Sequence, residues 1–128
     1  MMAFVALRLA RIWGDEELER AAVGAFRLAR ALLERAPTAL GHMLCALDFH
    51  FSTPREVAVV GESAELRSAA LEGFQPNTVF AFTPEPTDAV PLLAGRGLVD
   101  GNPAAYVCQR FACQAPVTTR EELASATA

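Results

Sequence analysis

Val57-Ala58-Val59-Val60-Gly61, followed by Glu62-Ser63-Ala64-Glu65-Leu66, is the stretch on which the fold turns. Four apolar residues, three of them β-branched, run without alternation into a glycine. That is the pattern of a strand buried on both faces. From Glu62 to Phe74 the period changes. Leu66, Ala69, Ala70 and Gly73 share one side, so this segment reads as an amphipathic helix. Gln75-Pro76-Asn77 then turns the chain, and Thr78 to Phe82 is a second short apolar run. Strand, helix and strand in that order predict a parallel pair with a right-handed crossover, a βαβ unit.

Downstream, Thr83 to Asp88 is a proline-rich loop, and Val90 to Ala94 reads as a short helical turn. Asp100-Gly101-Asn102 is a turn signal. Tyr106–Cys108 and Phe111–Cys113 are expected to pair as strands and to extend the same sheet. Thr118 with Glu121 matches the S/T-x-x-E capping box of a last helix running through Leu123. Upstream the reading is helical. Ala3 to Trp13 ends at Gly14, and Asp15 suits an N-cap. Leu18, Ala22, Ala25, Phe26, Ala29, Leu32 and Leu33 form the stripe of a helix to about Arg35. Pro37 opens a further helix striped by Leu40, Met43, Leu44, Leu47 and Phe51. The expected fold is thus mixed α/β: helices over residues 1–53, then a small βαβ module with a C-terminal β segment and helix over residues 54–128. Helices with such stripes need partners. An exposed apolar face is therefore expected on the helical half, involving Leu18, Phe26, Leu32, Leu33, Leu40, Met43 and Leu47.

Composition narrows the function classes. The 128 residues carry a net charge of −4, and 52% are hydrophobic. This suits one folded domain, or one with an appendage. Eleven basic residues, all arginine, against 15 acidic ones argue against nucleic acid, which needs clustered cations. No run reaches the ~18 uninterrupted apolar residues of a membrane helix. Met1 to Ala10 lacks a basic leading region, and Arg8 and Arg11 interrupt its neighbourhood, so export is not expected. Three cysteines, one inside a helical run, fit a reducing cytoplasm better than a disulfide framework.

Cys108 and Cys113, spaced C-x-x-x-x-C, are the sharpest chemical feature. They read first as two small buried thiols in contact, otherwise as a structural or occasional disulfide, otherwise as half a zinc site. Zinc needs about four ligands, and Cys45, His42 and His50 all lie far back on a different element. Gln109-Arg110 is a poor two-residue turn, so a looser bend is expected to bring the thiols together in reduced form. A thiol switch would further require one exposed sulfur beside a cation such as Arg110. His42 and Cys45 share a helix face with Asp48 nearby, but an orienting group and an oxyanion site are missing. Gly61 ends a strand ahead of a helix, where phosphate binds in α/β folds, yet a single glycine beside Glu62 and Glu65 repels anions. Trp13, Phe26, Phe49, Phe51 and Phe74 read as core more readily than as a pocket. Glu16, Glu17 and Glu19 match a helix N-terminus. No catalytic, cofactor or metal residue is assigned.

The tail from Gly101 through Ala104-Ala105-Tyr106-Val107-Cys108 and Phe111-Ala112-Cys113 to Pro116-Val117-Thr118 resembles the end of a thioredoxin domain-containing family. The animal member of that family is called spermatogenesis-associated. Met43-Leu44-Cys45-Ala46-Leu47-Asp48 and Pro54-Arg55-Glu56-Val57-Ala58-Val59-Val60-Gly61 add to the likeness, which covers about residues 15–123. The resemblance implies a longer protein, with a thioredoxin-like domain followed by an α/α toroid like those of sugar epimerases and six-hairpin glycosidases. This chain would be its C-terminal structural fragment, completed by the upstream domains and holding no complete active site. The alternatives are a thiol–disulfide accessory module using Cys108 and Cys113, or an independent small binding module.

Overall fold

The computed structural model describes residues 2–128. Three helices come first: α1 (Met2–Trp13), α2 (Glu16–Arg35) and, after a 3-10 turn over Pro37–Leu40, α3 (Gly41–Phe51). Gly14, at φ +65°, separates α1 from α2, and the Asp15 carboxylate accepts from the N–H groups of Glu17 (2.8 Å) and Leu18 (3.3 Å). That satisfies two donors which the helix leaves without intrahelical partners.

Strand β1 (Arg55–Val60) lies inside a four-stranded sheet of order β2-β1-β3-β4. It pairs in parallel with β2 (Thr78–Thr83), from Arg55↔Thr78 to Val60↔Thr83, as the strand–helix–strand pattern requires. The connecting helix α4 (Ala64–Ala70) is shorter than the expected 62–74. Ser63 caps its start through Leu66 N–H. At its end the Gln75 side chain donates to the carbonyls of Ala70 and Glu72, beside Gly73 at φ +80°. Strand β3 (Ala104–Gln109) enters antiparallel on the other side of β1, and the two-residue β4 (Ala112–Cys113) closes the edge. The tail therefore extends the same sheet, as anticipated. Asp100 and Gly101, both at positive φ, form the tight turn between Val99 and Asn102.

Alternation along β1 divides the hydrophobic interior. Ala58 and Val60 face Ala3, Leu7, Ala22, Phe26, Ala46 and Phe49 of the helices, together with Val79, Leu92 and Leu93. Val57 and Val59 face the opposite way, onto Leu66, Ala69 and Ala70 of α4 and Leu123 of α5 (Arg120–Thr127). The sheet is thus covered by helices on both faces. The helical stripes find much of their cover there: Phe26 is buried, and Leu18, Leu33, Leu40, Met43 and Leu47 are half-buried. Leu32 remains exposed, as does Leu28, which the stripe did not include.

The cap of α5 sits one residue later than Thr118 and Glu121 suggested. Thr119 accepts from Glu122 N–H, and the Glu122 carboxylate accepts from the N–H groups of Thr118 and Thr119. These bonds, led by that from Thr118, hold the Glu122 carboxyl below the usual carboxylate range. A depressed folded-state pKa adds stability above the ordinary carboxylate value, and this is lost as pH falls through the folded value. An NMR titration should find Glu122 ionising at lower pH than in the unfolded chain, and Glu122→Gln should remove its part of the acid-side loss of stability.

Candidate redox site

The site is built at the hairpin joining β3 to β4. Its loop is Arg110-Phe111, at φ +50° and +63°. The looser bend expected here is instead a tight two-residue turn, at Arg110-Phe111 and not at the disfavoured Gln109-Arg110. Two non-glycine residues take the left-handed conformation that a two-residue hairpin demands, at a cost of about 1–2 kcal/mol each. The surroundings hold them there. Phe111 N–H donates to Glu56 Oε2 (2.8 Å), and the Phe111 ring lies over Gly14, 3.6 Å from where a Cβ would stand.

This turn places Cys108 directly opposite Cys113. The bond from Gln114 N–H to Val107 O (3.0 Å) makes 108–113 a non-hydrogen-bonded pair, the closer of the two antiparallel pairings. The Cα atoms are 3.9 Å apart and the sulfurs are bonded. The expectation of a reduced pair of buried thiols is corrected on both counts: the cysteines form a disulfide, and only Cys108 is buried (1% exposed), while Cys113 is exposed. Spacing alone could not anticipate this, because it required two positive φ values at residues that rarely adopt them.

The cation at the sulfurs is Arg96, not Arg110. Arg96 Nη2 donates to Cys113 Sγ (2.9 Å) and lies 3.5 Å from Cys108 Sγ, while Nη1 donates to the carbonyls of Ala94 (3.1 Å) and Pro91 (3.4 Å). Its loop is anchored by buried Leu92 and Leu93, by the Leu92 N–H on Ile12 O of α1, and by the Tyr106 hydroxyl. That hydroxyl donates to Gly97 O (2.8 Å) and accepts from Gly97 N–H (3.2 Å). Burial pulls the Arg96 pKa below its ordinary value, against the opposing pull of Glu56 and Tyr106. It remains a cation at neutral pH, since a guanidinium stays protonated in proteins. Glu56, directly across from Cys108 in the sheet, is fully buried, and its Oε1 has no partner.

No family model, curated protein or solved structure matches the chain. The chemistry of the site is accordingly read from its own atoms. A groove of ≈ 390 Å³ opens beside it, lined among others by Arg96, Tyr106, Phe111, Cys113 and Gln114. The disulfide is reachable through the Cys113 side and closed on the Cys108 side.

The other sequence candidates stand apart from one another. His42 and Cys45 are exposed on α3, and Asp48 accepts a hydrogen bond from Asn77 (2.8 Å) instead of joining them. His50 Nδ1 lies 3.7 Å from Glu19, which also pairs with Arg11 at 3.4 Å. Among the described residues no three His, Cys, Asp or Glu side chains gather as metal ligands. Gly61 lines a wider groove of ≈ 640 Å³ with Glu62, Ser63, Arg67 and Phe82, but the Arg67 guanidinium there stacks over Phe82 (5.1 Å to the ring centroid). Phe26 and Phe49 are buried in the core, while Trp13, Phe51 and Phe74 are exposed. Glu56 and Arg96 were missed as site residues. The available signal was weak: an acid at the head of an apolar strand, and an arginine between two glycines.

Proposed function

We propose that this chain is a thiol–disulfide exchange module working through Cys108 and Cys113. The observation that carries the reading is Arg96 held at hydrogen-bond distance from an accessible disulfide sulfur. A dithiol reductant attacks Cys113 Sγ as a thiolate, the S–S bond breaks, and Cys108 leaves as a thiolate beside Arg96. The second thiol of the reductant, deprotonated in turn, attacks the mixed disulfide and releases Cys113. The reductant is oxidised to its disulfide, the protein is reduced by two electrons, and its two thiolates take up two protons. A reducing cytoplasm would supply such a dithiol. The acidic net charge leaves nucleic acid outside the proposed partners.

The test is exchange in the folded protein. Under native conditions a dithiol should open the disulfide. With Cys45→Ala and oxidised glutathione as the disulfide, Cys108→Ser should form a mixed disulfide on Cys113 and release reduced glutathione, while Cys113→Ser forms none on Cys108. Arg96→Met should slow alkylation of reduced Cys113 at neutral pH by roughly tenfold, because an adjacent cation lowers a thiol pKa by about 1–3 units. A disulfide that opens only on global unfolding, or equal rates with and without Arg96, would sink the reading.

A second reading rests on the exposed apolar side chains of α2. Leu28 is 90% and Leu32 50% exposed. This favours the C-terminal segment of a longer protein of the kind the tail resembles, with an upstream helix covering that face. Leu28→Glu with Leu32→Glu should then leave the isolated chain folded while abolishing its binding of a hydrophobic dye. Dye binding unchanged by the substitutions would remove this support.

A further inference from the structure

We infer that Glu56 is a positioning residue for the exchange reaction, its unpartnered Oε1 accepting a hydrogen bond from the Cys108 thiol once the disulfide is open. The inference rests on the proposed exchange function and deepens it. Glu56 stands opposite Cys108 in the β1–β3 register, so the two side chains project from the same face of the sheet as immediate neighbours. Its carboxylate extends past Cys108, because Oε2 reaches the N–H of Phe111, three residues further along the chain. The whole residue is withdrawn from solvent, and Oε1 has no donor. A buried acceptor without a partner is costly, and a carboxylate more so than a neutral group. In the oxidised protein Cys108 has no hydrogen to give. Reduction creates an S–H group at buried Cys108, the residue opposite Glu56 in the sheet. The surrounding charged and titratable groups fit this assignment. Arg96 faces the sulfurs from the loop, the Tyr106 hydroxyl is committed to Gly97, and Arg8 of α1 is committed to the carbonyls of Pro76 and Thr78 at the β2 side. None of these bonds reaches Oε1, and the Arg96 Nε–H, also buried, is without a partner as well. Glu56 thus favours the reduced state as a thiol at Cys108, while Arg96 serves the thiolate at exposed Cys113, so the two cysteines are chemically distinct after opening.

The test uses the full chain with Cys45→Ala and Cys113→Ala, leaving Cys108 as the single thiol, and reads its S–H stretching band by infrared spectroscopy. The native band should lie at lower frequency than in the same protein unfolded. It should move toward the unfolded position in Glu56→Gln, with partial restoration in Glu56→Asp. In the chain with all three cysteines, Glu56→Gln should shift the equilibrium with dithiothreitol toward the disulfide by about tenfold, the loss of one charge-assisted hydrogen bond. A native band at the unfolded position overturns the assignment even if Glu56→Gln fails to fold. Because the single-thiol protein needs no reduction, that result is separable from failure of the exchange reaction, which would show as a disulfide inert to dithiothreitol with the S–H band still shifted.

Discussion

Phe49→Ala is expected to destabilise the protein by about 3–5 kcal/mol, seen as a fall in the urea midpoint with little change in slope. Phe49 is 1% exposed and sits at the end of α3, where the helices meet the sheet. Its ring meets Phe4 of α1 edge-on at 5.7 Å, and the Arg8 guanidinium lies 5.8 Å from its centroid. Truncation removes the apolar surface that joins α1 and α3 to Val60 and Val79, and it leaves a cavity that three separate elements would have to close. Folded domains hold about 5–15 kcal/mol in all, so the loss is a large fraction of the total. A change below about 1 kcal/mol would mean that the helical layer is not fastened to the sheet through this residue.

Gly61→Ala is expected to cost about 2–5 kcal/mol, from backbone strain and overpacking together. Gly61 has φ +99°, a region closed to L side chains without strain, and its N–H donates to Thr83 O at 2.9 Å to finish the parallel pairing. A Cβ there would stand 2.8 Å from Leu98 Cδ2 and 2.9 Å from both Cα and Cβ of Pro103. Leu98 can rotate away, but the Pro103 backbone leads into β3 and cannot. The substitution should therefore disturb β1 and β3 together and lower the protection of the Ala104–Ala105 amides against hydrogen exchange. Gly24→Ala, whose Cβ meets nothing within 4 Å inside α2, is the matched control and should be neutral or mildly stabilising.

Much of the scaffold of the site was legible beforehand because it rests on local chemistry. Val57–Val60 and Thr78–Phe82, separated by one amphipathic segment, carry enough pattern to require a parallel pair, and the pair has that form. Asp15 after Gly14 marks a helix start that needs no tertiary context. Tyr106–Cys108 lies within β3 and Ala112–Cys113 forms β4, while Phe111, also read as strand, belongs to the turn. The limits of α4 and the cap of α5 were misplaced because Gln75 and Glu122 act through side-chain hydrogen bonds that compete with neighbouring candidates of equal propensity.

Sequence by itself determined the class of the fold, the identity of the central strand, and the two cysteines as the chemical feature worth following. Those depend on hydrophobic period, turn residues and spacing, each set within a few residues of chain. Tertiary structure alone decided the state of the cysteines and the company they keep. The turn at Arg110-Phe111 opposes local preference, and it is held by Glu56 from β1 and by the place that Gly14 leaves for the Phe111 ring. Arg96 arrives from a loop 12 residues before Cys108, fastened by Ile12 and Tyr106. Contacts between residues so far apart in the chain follow from the packing of whole elements, and no local pattern records which side chains that packing brings together.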